Sequence, residues 1–146
     1  MAMLMVLFIV MAIAVISSGF IARSNAELAS GRNVCLRNEA DYIAWAGLEH
    51  ARALVISPEN TDVLDSWTGT GLQLDVGSSQ YYDLTINSPV EEVAADPNDP
   101  STYTYSIQSS AYIQSGGAVR ARSVLDAKLF FDPNETQAYY ISVRRY

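Results

Sequence analysis

Residues 36–56 of the chain, LRNEADYIAWAGLEHARALVI, place apolar side chains three and four positions apart. This period predicts an amphipathic helix that turns one apolar stripe toward a protein body. The helix should end before Pro58, because proline donates no backbone hydrogen bond and disfavours helical geometry in the residue before it. The stripe, which we expect to pack the helix on a sheet, consists of Leu36, Ala40, Ile43, Ala44, Gly47, Leu48, Ala51, Leu54 and Val55.

The chain before this segment begins with an uncharged stretch, residues 1–22, and the first charged residue is Arg23. At about 1.5 Å per residue this stretch can cross roughly 30 Å of hydrocarbon. It is apolar on every side through Ile16, so no face is reserved for water. A secretory signal would open with Lys or Arg and carry a shorter apolar region. The remaining interpretations are a bilayer anchor, a buried core helix and a helix by which copies assemble.

The two segments join into one predicted helix from about residue 1 to about residue 56, on the order of 80 Å long at the standard rise. The residues that follow, 57–146, are too few to bury a helix of this length, so its first half should project. We therefore divide the chain into three parts: an assembly or membrane helix (1–22), its amphipathic continuation (23–57) and a small antiparallel β domain (58–146).

Three small residues, Ser17, Ser18 and Gly19, interrupt the long apolar run. Glycine costs about 1 kcal/mol relative to alanine in a helix interior, so local melting or a bend is one interpretation. The other is that small side chains let neighbouring helices approach closely. The sequence supports both equally.

From Trp67 onward the apolar period changes to two, which predicts strands. The Gly116-Gly117 pair is a tight-turn signal between two alternating runs, so these runs should form a long antiparallel hairpin. Four or five strands with one apolar face need a cover, and the amphipathic helix supplies it, which predicts an α+β fold. The hairpin strands are Thr102–Gln114 and Ala118–Phe131, two more are Tyr81–Asn87 and Ala138–Tyr146, a weaker fifth is Leu72–Val76, and Asn87–Thr102 is a predicted surface loop.

The charge distribution argues against nucleic acid as a direct partner. The formal net charge is −7, and no Lys or Arg lies between Ala53 and Val119, a stretch with nine acidic residues. Such a surface repels a phosphate backbone. Cys35 is the only cysteine, so it has no internal disulfide partner, and a lone thiol in a helix is usually a small buried hydrophobe.

No set of residues predicts catalysis or a cofactor. Glu49 and His50 are neighbours on a helix, where adjacent side chains diverge by about 100°, and no third catalytic group accompanies them. Asp96, Asn98 and Asp99 could offer oxygen ligands to calcium, but this run lacks the glycine turn and the distal glutamate of a well-defined calcium loop. We therefore expect no enzyme activity, cofactor or metal.

The run AWAGLEHA, residues 44–51, resembles a helix segment of type IV pilin-like proteins. It is similar to the PilX-like N-terminal region of minor pilins and of the large type II secretion pseudopilin, over about residues 1–55. The resemblance implies an N-terminal helix that waits in the inner membrane and then packs against identical helices in a filament core. The residues that would pack there are Met1, Leu4, Met5, Leu7, Phe8, Ile9, Met11, Ile13, Val15, Ile16 and Phe20.

The chain departs from the usual pilin pattern at three points. Many pilins carry glutamate at the fifth mature position and proline near position 22, where this chain has Met5 and Ala22. No basic leader precedes the apolar run, and the charges after it, beginning with Arg23, would orient an uncut anchor with the sheet inside the cell. We therefore expect that the sequence begins after a leader has been cut away.

The resemblance implies a structural subunit of an extracellular pilus-like filament at the cell surface. Its partners would be further copies of itself, the membrane before assembly and the pilus assembly machinery. One alternative is a low-copy minor pilin or pseudopilin of a secretion system, since certain tip pseudopilins also lack the glutamate that Met5 replaces. Another is a single-pass membrane protein with a small β ectodomain.

Overall fold

The computed structural model describes residues 2–57, 63–92, 101–133, 135 and 137–146, and for Ala2 it describes the backbone only. The chain divides into two compact units, Met1–Cys35 and Leu36–Tyr146. One helix, α1, spans Ala2–Ile56. Its end matches the prediction from Pro58, and the Ser57 amide still donates to the Ala53 carbonyl at 3.0 Å.

Within the described residues, six strands form one antiparallel sheet: Trp67–Gln73 (β1), Gln80–Ile86 (β2), Val90–Glu92 (β3), Thr102–Ser115 (β4), Ala118–Asp132 (β5) and Gln137–Arg145 (β6). Their order is β1-β2-β4-β5-β6, with β3 paired to β4. Buried and exposed side chains largely alternate along β2, β4 and β5, because one face of the sheet is covered and the other faces solvent.

The predicted central hairpin is confirmed as β4 and β5, which pair from Ser115 and Ala118 to Tyr103 and Phe131. Gly116 and Gly117 form the turn with φ values of 62° and 78°. Both values lie in the left-handed region, which glycine adopts without a Cβ penalty.

The covered face of the sheet packs against the part of α1 that belongs to the second unit. The apolar stripe predicted from residues 36–56 supplies this contact, so the α+β class is confirmed. Leu36 and Leu54 are half-buried, and Gly47 is buried. The fully packed core consists of Ala40, Ile43, Ala44, Leu48, Ala51, Val55, Tyr82, Leu84, Ile86, Tyr105, Ile107, Ala111, Ile113, Leu125, Ala127, Leu129, Phe131 and Ala138.

The strand prediction differs from the structure at β1 and β3. The weak candidate Leu72–Val76 lies mostly in a turn, and the strand instead begins at Trp67 and shifts register between Gly69 and Leu72. Val90–Glu92 lies inside the predicted loop but is a strand. The reason is length: β4 extends beyond its pairing with β2, and its first residues, Thr102–Thr104, pair with this short segment.

Cys35 is exposed, so the expectation of a buried thiol is wrong. The apolar stripe that contacts the sheet begins only at the next residue, Leu36, which is half-buried. Helical periodicity alone does not show where packing begins along a continuous helix.

Candidate functional site

The apolar beginning of α1 is exposed along its whole described length. Every residue from Met3 to Cys35 is exposed, and every residue from Met3 to Ile16 is apolar. Within this stretch Met3 is 87 % exposed, Phe8 74 % and Ile13 58 %. Soluble monomeric proteins rarely present a continuous apolar surface of this kind, which usually marks a site of association with protein or membrane.

Helix α1 contains a window long and apolar enough to cross a membrane, and none of that window is buried within the chain. The interpretation as a buried core helix is therefore wrong for this segment. A membrane anchor and a pilin-like helix both remain compatible with it. The residues predicted for a filament core, from Leu4 to Phe20, all lie on this exposed stretch, and Met1 lies outside the described residues.

Ser17, Ser18 and Gly19 are α-helical in the structure. The Ser18 hydroxyl donates to the Val15 carbonyl at 2.9 Å, a bond to the preceding turn that keeps this polar group satisfied without a partner from elsewhere. A Cβ at position 19 would have no contact within 4 Å beyond the adjoining backbone of its own helix. The helix is thus unbroken here, and both flexibility and close packing with another helix stay predictions.

The first charged residues of the helix pair with each other. Arg23 Nε lies 2.9 Å from Glu27 Oε1, one helical turn later, and both side chains are exposed. This spacing is the ordinary one for an ion pair on a helix surface and contributes only a few tenths of a kcal/mol, about 0.3–0.5.

Gly47 sets the approach of α1 to the sheet. A Cβ at this position would overlap the Ser109 hydroxyl on β4 and lie 3.1 Å from Cδ2 of Tyr82 on β2. Ser109 is fully buried, and its hydroxyl has no hydrogen-bond partner within the described residues. The pair of small residues therefore allows a close contact between helix and sheet.

Polar side chains join the helix to both halves of the sheet. Asp41 accepts a hydrogen bond from the Ser123 hydroxyl at 2.5 Å through Oδ1, and its Oδ2 lies 2.7 Å from Arg145 Nη2. On the opposite side, the side-chain amide of Gln80 donates to the Glu39 carboxylate. Charged hydrogen bonds in partly buried positions are stronger than neutral ones, so these contacts hold the helix in register with the strands.

Two tyrosine hydroxyls reach backbone carbonyls across the core. Tyr140 donates to the Leu48 carbonyl at 2.5 Å, and Tyr105 donates to the Leu64 carbonyl at 2.9 Å. Burial raises the pKa of Tyr105 to about 12, and burial also raises the pKa of Tyr140 far above its ordinary value. Both hydroxyls therefore stay protonated and act as structural donors at neutral pH.

Glu49 and His50 do not form an acid/base pair in the structure. Glu49 lies 3.6 Å from Arg52 on the helix surface, whereas His50 Nδ1 lies 3.0 Å from the Tyr82 hydroxyl and its ring packs edge-on against Trp67. These contacts place His50 among residues that pack α1 on β1 and β2.

Among the described residues, no group of three or more His, Cys, Asp or Glu side chains is placed to hold a metal ion. Asp96, Asn98 and Asp99, the possible oxygen ligands for calcium, lie outside the described residues.

The contact of Asp41 with Ser123 and Arg145 leaves no signal in the sequence. These residues are far apart in the chain. Helical periodicity assigns Asp41 to solvent, whereas Ser123 alternates with Ala121 and Leu125 on the covered face of β5. A single arginine at the end of a strand gives no indication of which helix residue it meets.

Comparisons of the chain with protein-family models, with curated proteins and with solved structures found no match.

Proposed function

We propose that the chain is a structural subunit of an extracellular, type IV pilus-like filament. Its copies assemble through the apolar N-terminal segment of α1. The observation that supports this proposal is a stretch from Met3 to Ile16 in which every side chain is apolar and exposed, on a helix whose later residues are packed on a sheet. Water disfavours apolar surface roughly in proportion to its area, so this segment needs a cover from outside the chain.

Two environments can cover the segment, and the proposal uses both in turn. In a bilayer, a helix satisfies all its backbone groups internally, and the apolar side chains meet lipid. In a filament, the same side chains meet identical helices, and a patch that repeats head to tail without closing gives an open polymer. The subunit would thus be membrane-anchored before assembly and extracellular afterwards, and the pilus assembly machinery would move it between the two.

The direct test is the substitution Ile13→Asp in the full chain. A carboxylate at the centre of a helix in a bilayer costs about 2.5–3.5 kcal/mol, and a close-packed filament core offers it no water either. We expect loss of polymer from the material sheared off cells. The matched control is Val119→Asp, since Val119 is 55 % exposed and Ile13 58 % exposed, but Val119 lies on β5. The control should assemble normally.

Membrane retention is measured in parallel, because the same carboxylate also weakens insertion. A variant that remains in the membrane fraction but releases no polymer identifies the contact between copies as the step that is lost. Normal filaments from the Ile13→Asp variant contradict the proposal.

A single-pass membrane protein with a small β ectodomain is the second candidate, because the helix meets the same length and composition criteria. Shearing separates the two, since a plain anchor releases no polymer. A low-copy minor pilin or pseudopilin is the third candidate, favoured by Met5 in place of the usual glutamate. A minor pilin would make up only a small share of the sheared polymer, whereas a shaft subunit would make up most of it.

A further inference from the structure

Polar side chains form a patch on the face of the sheet that points away from the helix. Residues on this face alternate along each strand with the buried ones, so positions paired across β4, β5 and β6 lie side by side. Two neighbouring rows of this face are polar throughout. The first row is Gln108, Asp126 and Arg144, and the second is Ser106, Lys128 and Ser142.

These two rows line an open groove, which we call the outer groove. The groove encloses about 570 Å³, and sites for small molecules commonly enclose about 300–1,000 Å³. Asn87 and Tyr146 also line it. The Asn87 backbone amide donates to the Ser106 carbonyl at 3.0 Å, and that of Tyr146 donates to the Val124 carbonyl at 3.1 Å. Both residues are therefore fixed to the sheet beside the two rows.

The outer groove contains charges of both signs. Asp126 accepts a hydrogen bond from the side-chain amide of Gln108 at 2.9 Å. Arg144 lies opposite Asp126 in register, yet within the described part of the chain neither Arg144 nor Lys128 forms an ion pair. Both basic side chains are exposed, and Asp126 is half-buried. Two cations are therefore available to a ligand, next to one carboxylate.

The two cations favour a carboxylate as the anionic group of that ligand. Lys128 and Arg144 are diagonal neighbours on β5 and β6, where Cα atoms are about 7–8 Å apart, and their long side chains can converge on one anion. The planar guanidinium of arginine donates two parallel hydrogen bonds to a carboxylate. A phosphate monoester carries about 1.5–2 negative charges, which the adjacent Asp126 repels more strongly than a single charge.

The remaining groups favour hydroxyls and the face of a sugar ring. A hydroxyl both donates and accepts, so it fits between the Asp126 carboxylate and a donor on a neighbouring strand, where opposite Cβ atoms are about 4.5–5.5 Å apart. Tyr146 is 74 % exposed, and its ring offers an apolar face to the C–H groups of a sugar. Ile141 is the one other large apolar side chain exposed among the lining residues, so this groove lacks the apolar lining that anchors a lipid or a peptide.

We propose that the outer groove binds an acidic saccharide, in which each sugar ring carries hydroxyls and one carboxylate. Lys128 and Arg144 hold the carboxylate. Asp126 and Asn87 exchange hydrogen bonds with the hydroxyls, and Tyr146 packs on the ring. The site goes beyond the proposed function and does not depend on it, because all its residues belong to one chain. An open site of this kind binds a single saccharide weakly, and copies repeated along a polymer raise the effective affinity.

Binding is measured on the full chain in an amine-oxide detergent, because a detergent with a sugar head group would compete for the groove. The probes are a trisaccharide of galacturonic acid, the trisaccharide of galactose as its neutral counterpart, and acetate as the carboxylate alone. Saturation-transfer NMR, titrated with each probe, gives the relative dissociation constants. The acidic trisaccharide should bind at least about tenfold more tightly than either of the others, since it alone engages both the cations and the hydroxyl partners.

Lys128→Gln and Arg144→Gln should each weaken binding of the acidic trisaccharide about fivefold to tenfold, because each removes a charged hydrogen bond. Tyr146→Ala should weaken it about threefold to tenfold by removing the ring contact, and should leave acetate binding unchanged. The matched control is Arg120→Gln, the same loss of charge on the strand of Lys128 but outside the groove, which should bind as the wild type does. All four substitutions lie at exposed positions, and tryptophan fluorescence checks that each variant is folded.

Equal binding of the acidic and neutral trisaccharides overturns the inference, and so does acetate binding as tight as that of the acidic trisaccharide. In either case the groove would not recognise carboxylate and hydroxyls together. Wild-type affinity in both Lys128→Gln and Arg144→Gln, an equal loss in Arg120→Gln, or no binding of any probe also overturns it. None of these results bears on the filament, which is tested separately by the yield of sheared polymer.

Discussion

Gly47 on helix α1 lies directly against Ser109 on strand β4, and both residues are fully enclosed between helix and sheet. A Cβ at position 47 would lie too close to the Ser109 hydroxyl oxygen for a non-bonded contact, so one of the two groups would have to shift. The helix and the sheet therefore approach this closely because position 47 carries no side chain.

Gly47→Ala should destabilise the domain by about 1–3 kcal/mol, because overpacking forces neighbouring atoms to shift. Ser109→Ala should leave stability unchanged or raise it by up to about 1 kcal/mol, since it removes a buried hydroxyl that has no hydrogen-bond partner within the described residues. Denaturant unfolding of the full chain in detergent, followed by the fluorescence of Trp45 and Trp67, measures both. In the double variant the cost of Gly47→Ala should shrink; simple additivity of the two effects contradicts this explanation.

Leu48→Ala and Leu28→Ala test where helix α1 is packed within the chain. Leu48 is fully buried against the sheet, whereas Leu28 is 70 % exposed. Truncating the first should cost about 2–5 kcal/mol, and truncating the second should change stability by less than about 0.5 kcal/mol. The same fluorescence measurement applies to the detergent-solubilised chain. Equal losses from the two variants would mean that the helix is packed along its whole length before assembly.

Alkaline pH should weaken the fold through Tyr105. Its pKa is raised from 10.0 to about 12 in the folded chain, mainly by burial, so the folded state holds its proton where the unfolded state has lost it. The stabilisation that this pKa difference contributes is fully present below pH 10 and is lost as pH rises from 10 toward 12. Unfolding measured at several pH values should show this fall. It should be smaller in Tyr105→Phe, which also loses the bond to Leu64, worth about 0.5–1.5 kcal/mol at neutral pH.

A pH profile of stability in Tyr105→Phe that matches the wild type would assign the alkaline loss to other buried tyrosines. Tyr82 and Tyr140 are the first to consider, because burial raises the pKa of each. Replacing each with phenylalanine in turn then separates their contributions.

Gly19→Ala distinguishes the two interpretations of the small residues in the apolar helix. A Cβ there meets no atom within 4 Å, so alanine should stabilise the isolated helix by about 1 kcal/mol. Slower amide hydrogen exchange around residue 19 in the detergent-solubilised chain measures this gain. If the small side chains serve close contact between copies, the same variant should also release less sheared polymer. If exchange becomes slower but the polymer yield stays the same, the role of Gly19 is local flexibility of the helix.

The sequence by itself determined the features that depend on local periodicity and backbone chemistry. Apolar spacing of three and four placed Ala40, Leu48 and Val55 on one face of a helix, and Pro58 predicted its end. Alternation of period two predicted the β4–β5 hairpin, and the two adjacent glycines predicted its turn. The exposed apolar beginning of the chain also followed from composition, because too few residues remain to cover it.

Tertiary structure alone decided which distant residues meet. The pairing of β3 with the excess length of β4, the position of β1, the exposure of Cys35 and the contact of Asp41 with Arg145 each depend on what lies opposite in space. A periodic pattern reports which face of an element is apolar, but it carries no information about the partner of that face. Register and polar contacts arise only when the helix and the strands pack together, so they could not be determined from one segment at a time.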